Sequence, residues 1–420
     1  MPFYEVMLIF LFFVQTAFAD SLTWEACVAL AAKNNAQIRA AEADLRAARA
    51  LAGAAKAPLF PSLSSELTGV STNSQAVATG ASTYSTSVEA AITGRYNLFS
   101  GFADAGTIDR THALSEAQNA SLRAVRANVS YDLKAAYQNL HYATERVRLT
   151  KELLQRREEN KRLVELLFES GRENKGSLLL AEAYLVQARY ETVQAENAKR
   201  SSQAALASVL GLESYETLEV RSSLPLDMAP GPKPDFKALA RSTPQYEESV
   251  FNEAAAEAGI RIATSGFLPS LDLTGGYAAT GADLATNESR RAWVGLTLTV
   301  PLFDGGRDYH GVKGASARWA SASSARDGVS RELVLRLERA YSAFIEAVEK
   351  LKMEEAFRKA AEIRAEIARK KYNNGLLSFE DWDLIENEWI NRQKQVLQAA
   401  RDGVLAQSAW EQIQGQKVFE

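Results

Sequence analysis

The sequence predicts a mostly α-helical protein with a few membrane-spanning β-strands, built from a helix–strand–strand–helix unit that occurs twice. Three observations predict this fold. Proline is absent between Pro61 and Pro225 and again after Pro301, which leaves room for very long helices. Each long helical stretch follows a run in which polar and apolar residues alternate. The two halves also match in register, so that the dipeptide LF at 98–99 recurs 204 positions later at 302–303.

Composition excludes several classes of protein. The chain has 420 residues, of which 46% are hydrophobic, and this is enough for a substantial core. The formal net charge of -4 offers no electrostatic basis for binding nucleic acid. The single cysteine, Cys27, cannot form a disulfide within the chain, and we expect it to pack as an ordinary apolar helix residue.

Residues 1–19 are predicted to be a signal peptide. An apolar run at 6–14 precedes the small-residue pattern AFA at 17–19, which is typical of a cleavage site. The run is too short to span a bilayer. It is preceded by Glu5 and by no lysine or arginine, which is unusual for a signal peptide. We therefore expect export, with the start codon and the cleavage position left open.

The first repeat is predicted to extend over residues 20–221. It begins with a helix at about Thr23, continues with a β-hairpin at about 62–99, and ends with a long helix at about 104–170 and a return helix at about 176–210. A continuous helix of this length would measure about 100 Å at about 1.5 Å per residue. No globular domain of this size could bury such a rod, so we expect it to pack against other long helices.

The second repeat is predicted to extend over residues 236–420, after a proline-rich linker at 222–235 that can be neither helix nor central strand. Its β-hairpin lies at about 270–303, its long helix at about 308–374 and its return helix at about 378–415. The same apolar stripe runs along both long helices, in steps of three and four residues. The stripe consists of Val125, Val129, Leu133, Ala136, Leu140, Ala143 and Val147, which match Val329, Leu333, Leu337, Ala340, Phe344, Ala347 and Leu351.

Both predicted hairpins contain strands with one apolar face and one small or polar face, most clearly at 84–98 and 292–302. Aromatic residues toward the strand ends, such as Tyr84 and Trp293, are typical of the interfacial girdles of membrane strands. A soluble sheet with one face on a core is the alternative. Four strands cannot close a barrel, and lipid does not tolerate an open strand edge. A membrane sheet would therefore require several copies of the chain to share one barrel.

Three short motifs carry a resemblance to a known family. FPSL at 60–63 and LPSL at 268–271 precede the first strand of each repeat, PLFDGG at 301–306 follows the last strand, and a glycine turn ends KYNNG at 371–375. In this order and duplication, over residues 22–415, the sequence resembles the outer-membrane efflux protein family of TolC-like channels.

The resemblance implies a homotrimer in which three chains contribute four strands each to a twelve-stranded β-barrel in the outer membrane of a Gram-negative bacterium. The long helices would continue this barrel through the periplasm as an α-helical barrel. Its tip would contact a periplasmic adaptor protein, which couples the channel to an inner-membrane transporter of an efflux or type I secretion system. Outer-membrane lipid would surround the strands, and no cofactor, enzymatic activity or nucleic-acid partner is implied.

Individual residues follow from the same pattern. Gly171 and Gly375 are predicted to permit the tight turns at the helical tip, where a left-handed backbone is often needed. The resemblance makes this tip the adaptor-docking region, with Arg172, Leu376 and Leu377 beside the turns. The exits from strand to helix would be formed by Leu98, Phe99, Gly101, Leu302, Phe303 and Gly305.

In TolC-like channels an aspartate pair lines the closed periplasmic aperture. Spacing from Gly375 places Asp381 at the first position, whereas Leu384 occupies the second, so Asp383 is taken as the other member. Threefold symmetry would turn one carboxylate into a ring of three, which attracts cations and repels anions. The alternative is a solvated acidic first turn that complements the helix dipole.

Two other functions compete with the channel. A soluble periplasmic coiled-coil scaffold would have the same helices but no use for the apolar strand face at 292–302. An enzyme or metal site lacks support, because His112, His141 and His310 show no metal-ligand spacing and no nucleophile or phosphate-binding motif occurs. The channel is therefore our prediction, with its substrate (drug, metal, dye or secreted protein) left open.

Overall fold

The computed structural model describes residues 22–75, 80–283 and 288–419, so the predicted signal peptide lies outside the described residues. The first half contains α1 (Trp24–Asn34), α2 (Ala36–Ala54), β1 (Ser62–Gln75), β2 (Ser82–Phe99), α3 (Ala103–Glu169) and α4 (Lys175–Leu210). The second half contains α5 (Phe236–Arg241), α6 (Pro244–Thr264), β3 (Ser270–Gly281), β4 (Ser289–Thr299), α7 (Arg307–Asn373) and α8 (Phe379–Ile413). The predicted mostly helical architecture with a duplicated unit is confirmed.

The duplication extends to the helix boundaries. Helices α3 and α7 each contain 67 residues and begin 204 positions apart. Helices α2 and α6 begin 208 positions apart, and their N-caps, Asn35 and Thr243, both accept backbone N–H bonds through the side chain. The offset changes by four residues across the strand region, where connections can vary in length. Each position of the paired helices therefore has a defined counterpart in the other repeat.

The four strands form one antiparallel sheet in the order β1-β2-β3-β4. Its central pair joins the two repeats, with Ile92 opposite Tyr277, and a bulge interrupts the register between Asn97 and Phe99. Strands β1 and β4 are the edges of the sheet within one chain. An edge strand presents a row of N–H and C=O groups that can pair with another strand.

The two faces of the sheet differ in chemistry. The pairings place one set of apolar side chains on a single exposed face: Leu63, Leu67, Val88, Ile92, Tyr277, Leu273, Val294, Leu296 and Leu298. The opposite face carries Glu66, Glu89, Thr93, Arg95, Asp272, Thr280 and Arg291. Trp293, predicted as a girdle residue, lies on the polar face, because it pairs with Gly276 of β3 and Gly276 pairs with Thr93 of β2. Its indole covers Gly276 so closely that a Cβ there would be 2.5 Å from a ring carbon. The absence of a side chain at Gly276 makes that position possible.

The largest cluster of buried side chains lies midway along the helices, where α1, α3 and the end of α4 meet. Tyr137 is almost fully buried and contacts Trp24 edge-to-face, with ring centroids 5.5 Å apart. Cys27 is fully buried in the same cluster, and burial raises the pKa of its thiol to about 11. The thiol is therefore an apolar packing group, as predicted. Among the described residues, no helix is both long and apolar enough to cross a membrane.

Candidate functional site at the helical tips

The two tight turns at the far end of the long helices lie side by side. Gly171 and Gly375 adopt left-handed backbone conformations, with φ of 71° and 72°. The backbone N–H that follows each glycine donates to a carbonyl five residues earlier, from Arg172 to Leu167 and from Leu376 to Lys371. This is the Schellman geometry that requires glycine at such a position. A side-chain nitrogen of Arg172 lies 3.1 Å from the place where a Cβ of Gly375 would be, so the two turns touch.

The return helices begin with different caps. The Asn174 side chain accepts from the Ser177 N–H at 3.0 Å and starts α4. The Ser378 hydroxyl accepts from the Asp381 N–H at 3.1 Å and starts α8, while it donates to the Asp381 carboxylate at 2.9 Å. Asp381 is exposed, and one of its carboxylate oxygens takes part in this cap. The acidic first turn also complements the helix dipole.

An aromatic cluster surrounds the second turn. Tyr372 stacks on Trp382 with ring centroids 4.4 Å apart and an angle of 6°, and Phe379 contacts Trp382 edge-to-face. Leu377 packs against the same buried cluster, whereas Leu376 is 74% exposed. The first-repeat counterparts of Tyr372 and Trp382 are Phe168 and Leu178, and no comparable stack forms among the described residues there. The second turn is therefore the more firmly packed of the two.

Tyr372 also joins the two tips. Its hydroxyl donates to a carboxylate oxygen of Glu173 at 2.9 Å, across the boundary between the repeats. Burial, followed by the bond to the Glu173 carboxylate, raises the pKa of Tyr372 well above its usual value. The Tyr372 hydroxyl thus links the second turn to the first.

A polar network behind the tips connects α3, α4 and α8. The Asp383 carboxylate accepts from the Tyr184 hydroxyl at 3.1 Å and from the Asn387 amide at 3.0 Å, and Arg157 lies 3.9 Å away. Arg157 also stacks over the Tyr184 ring and donates to Asn387. Burial raises the pKa of Asp383 and lowers the pKa of Arg157. The Asp383 side chain thus faces α4, whereas Asp381 and Leu384 are exposed.

Glu386 is the most deeply buried charged side chain of this region, at 1% exposure. The Arg156 guanidinium donates to both carboxylate oxygens of Glu386, at 2.9 Å to the second oxygen. The Asn160 amide donates to the same carboxylate at 3.2 Å. The Arg156 guanidinium also lies 3.9 Å from the centroid of the Trp389 ring. A carboxylate can be buried at low cost only when it is paired and hydrogen-bonded in this way. The network ties the start of α8 to α3.

The two strand-to-helix exits are built differently. At the first exit, Gly101 has φ of 62° and lies so close to Leu268 that a Cβ would meet it at 2.9 Å. Phe99 packs edge-to-face on Phe102, with ring centroids 5.1 Å apart, and Leu98 is 45% exposed. At the second exit, Gly305 has φ of 75°, and apart from its neighbours in sequence no atom of the described residues lies within 4 Å of the position a Cβ would take. Leu302 and Phe303 are 93% and 90% exposed.

Several residues of the tip network were missed by the sequence-based predictions. Arg156 and Arg157 belong to a strongly charged run, which by itself indicates a solvated helix face. Tyr184 lies in an unremarkable stretch of α4. Only the closeness of α3, α4 and α8 shows that these side chains converge. Trp382, between two aspartates, offered a signal, since an aromatic residue in an acidic first turn indicates burial on one side.

Comparison with protein families gives one match over most of the chain. A family model described as outer membrane efflux protein matches residues 27–212 and 237–416, which are the two repeats without the linker. Outer membrane protein OprJ of Pseudomonas aeruginosa is 26% identical over 388 residues, which cover 86% of this chain and 79% of that protein. Protein CyaE of Bordetella pertussis is 27% identical over 322 residues, which cover 71% of this chain and 64% of that protein.

The fold is also similar to that of solved structures. The outer-membrane channel OprN superposes with a TM-score of 0.83 at 22% sequence identity, over 93% of this chain and 89% of that one. Agreement at this level covers strands and long helices together, and confirms that the described residues share a TolC-like fold.

Proposed function

Because the chain belongs to the outer membrane efflux protein family, we propose that three copies of it form the exit duct of a multicomponent export system. The duct would receive substrates from an inner-membrane transporter through a periplasmic adaptor and conduct them passively across the outer membrane. Energy would come from the transporter, since conduction through an open channel requires no chemistry by the channel itself.

One observation carries the proposal. A four-stranded sheet, with one exposed apolar face and with edge strands β1 and β4 that have no further strand beside them in the described chain, is followed by helices of 67 residues. A lipid-facing sheet must pair every backbone group, and closure by further copies is the way to do so. Helices of this length measure about 100 Å at about 1.5 Å per residue, which suits a duct that extends away from the membrane. A soluble scaffold would leave the apolar face of the sheet in water.

The second tip supports a selective aperture. Asp381 and Leu384 are both exposed, three residues apart and therefore on one side of α8. Around a threefold axis they would give a ring of carboxylates beside a ring of leucines. The carboxylates would attract cations, and the leucines would narrow the opening. Asp383 is half-buried against α4 and would contribute to the wall of the aperture rather than to its lining.

A groove at the same end supports adaptor docking. It has a volume of about 420 Å³ and lies between the first turns of α4 and α8, lined in part by Leu180, Tyr184, Phe379 and Leu384. The adjoining surface of the two turns is formed by Gly171, Arg172, Gly375 and Leu376. A helical hairpin with apolar residues at its end would match this groove, because apolar side chains line it together with the carboxylates of Glu380 and Asp383.

Single-channel recording tests the proposal. Purified protein in planar bilayers should conduct ions as a trimer, and Asp381→Ala should raise conductance or weaken block by divalent cations. Glu380→Ala is the matched control, since Glu380 is exposed on the neighbouring position of the same turn. Protein that forms no channels in bilayers would contradict the duct. Equal conductance and block in wild type and Asp381→Ala would contradict the aperture ring.

A further inference from the structure

Helices α3 and α7 have equal lengths but are covered very differently near the membrane end. Over residues 103–126, α3 buries seven residues, whereas the corresponding part of α7, residues 307–330, buries only Ala315. Both helices have the same small-residue character there, so their sequences do not explain the difference. The cause is that this end of α3 packs against two helices, α2 and α6, whereas this end of α7 packs, among the described residues, against α6 alone.

The missing neighbour can be identified from the duplication. Within the described residues, α2 packs on α3, and α6 packs on both α3 and α7, whereas α2 and α7 share no packed interface. Helix α6 is the counterpart of α2, and α3 is the counterpart of α7. The contact between α3 and α6 inside the chain is therefore the template for a contact between α7 and α2 of a neighbouring copy.

The strand exit supports this assignment. Gly101 is packed against Leu268 and Ser265, which lie in the segment just before β3. The counterpart of Gly101 is Gly305, 204 positions later. The counterparts of Leu268 and Ser265 are Phe60 and Ala57, 208 positions earlier. Gly305 has open space around it, and Phe60 is 69% exposed. The chain therefore contains both residues of the equivalent contact, Gly305 and Phe60, but within one chain they do not meet.

The helix faces are matched in size. Ala258 and Ile262 of α6 lie against α3, next to the position where a Cβ of Gly106 would be, and Ala255 is buried three residues earlier on α6. Their counterparts on α2 are Ala47, Ala50 and Ala54, all exposed. On the other side, buried Ala113, Ala117 and Ala120 of α3 correspond to exposed Ala317, Ser321 and Ser324 of α7. Small residues on both faces allow the helices to approach closely.

An ion pair supplies the most specific observation. Inside the chain, Arg123 of α3 pairs with Glu247 of α6. Arg123 corresponds to Asp327 on α7, and Glu247 corresponds to Arg39 on α2. The two positions therefore again carry opposite charges, but the acidic and basic residues have changed places. Arg39 is exposed and has no side-chain partner among the described residues. Asp327 is 56% exposed and contacts only the adjacent Arg326 in that part of the chain that the structure describes.

We propose that α7 of each copy seats on α2 of the next, with Asp327 paired to Arg39 of the neighbouring copy and Gly305 packed on Phe60 of that copy. The proposal rests on the proposed function, because it takes a closed ring of copies as given. It adds which surfaces meet and which charges fix their register. Exchange of the charges also prevents α2 from replacing α6, since Arg39 would then face Arg123.

Charge reversal tests the pair. Arg39→Asp and Asp327→Arg, made singly, should each reduce the fraction of detergent-extracted trimer by about tenfold or more, because three like-charge contacts replace three attractive ones. The double variant, Arg39→Asp with Asp327→Arg, should restore the wild-type fraction. Light scattering coupled to size-exclusion chromatography measures the trimer, and circular dichroism checks helix content. Aspartate in the first turns of α2 suits the helix dipole, so folding should be preserved.

Arg49→Asp is the matched control, because its α6 counterpart Glu257 is exposed and makes no contact with α3 that the described structure shows. The double variant Arg39→Cys with Asp327→Cys, treated with a short bis-maleimide, should give a covalent trimer, with buried Cys27 unreactive. A trimer that tolerates Arg39→Asp as well as Arg49→Asp, or a cross-link confined to one chain, would overturn this inference alone. A wild-type protein that is monomeric would instead overturn the proposed function.

Discussion

The two helical tips have nearly the same backbone and very different surroundings. Gly171 and Gly375 form matching turns, yet only the second turn is packed by a stacked tyrosine and tryptophan. The start of α8 is also tied to α3 through the buried carboxylate of Glu386, whereas its counterpart Glu182 on α4 is 46% exposed and lies 4.0 Å from Lys161. Duplication has preserved the turn, and the side chains around it have diverged.

This difference shows that the backbone conformation of a turn and its stability are determined separately. Glycine and the capping residues determine the turn locally, within a few positions. The stability of each turn depends on the neighbouring helices. Helix α8 packs on α3 of the other repeat, where Glu386 is buried, whereas α4 packs mainly on α3 of its own repeat and reaches the other repeat through polar contacts with α8, such as that of Tyr184 with Asp383. We therefore expect the second tip to resist opening and the first to open more readily.

The largest expected effect comes from Glu386→Ala. It leaves Arg156 without its buried partner, and we expect the packing of α8 on α3 to lose about 3 kcal/mol, as is usual when one member of a buried pair is removed. Hydrogen exchange at the start of α8 should accelerate strongly. Glu182→Ala, at the equivalent position of the first repeat, should change exchange at α4 by less than about 1 kcal/mol, because that pair is exposed. Similar changes at both sites would remove the distinction between the tips.

A smaller effect is expected from Trp382→Leu, which gives the second tip the residue that the first tip has at Leu178. Loss of the stack on Tyr372 and of buried area should destabilise the α7–α8 turn by about 2 kcal/mol. Trp319→Leu is the control, since Trp319 lies on α7 with 40% exposure. Exchange at the turn measures the effect. If Trp382→Leu leaves the second turn as protected as before, the aromatic stack is not what distinguishes it.

The smallest effect concerns pH and Asp383. Burial raises its pKa, so the folded tip binds this proton more tightly than the unfolded chain does. The stabilising contribution is complete below the ordinary pKa of an aspartate and is lost as pH rises through the raised pKa of the folded state. Protection of the second tip should therefore decrease as pH rises across that window.

Asp383→Asn should remove this pH dependence while it keeps a side chain of the same shape beside Tyr184. The first tip is an internal control, because Leu179 occupies the corresponding position and cannot titrate. Exchange is followed at both tips over the acidic range. A slope that persists in the Asp383→Asn variant would assign the titration to another group.

Much of the architecture could be predicted from the sequence because it rests on local patterns. Alternation at 292–302 identifies a strand, the spacing of Val125, Val129 and Leu133 identifies a helix, and proline marks the linker. The 204-residue repeat then gives the order of elements without knowledge of any contact. Side-chain roles were harder, as Trp293 shows, because the same residue suits a lipid interface or a glycine-lined gap in the sheet.

The sequence by itself determined the duplicated unit, the lengths of the long helices and the positions of the tip turns, because hydrophobic period, proline and glycine act over a few residues. Only the tertiary structure decided that Asp383 turns toward Tyr184, that Glu386 is buried under Arg156 and that Arg39 is left without a partner among the described residues. The physical reason is that burial and pairing depend on groups about 200 positions away, which meet only when the helices pack.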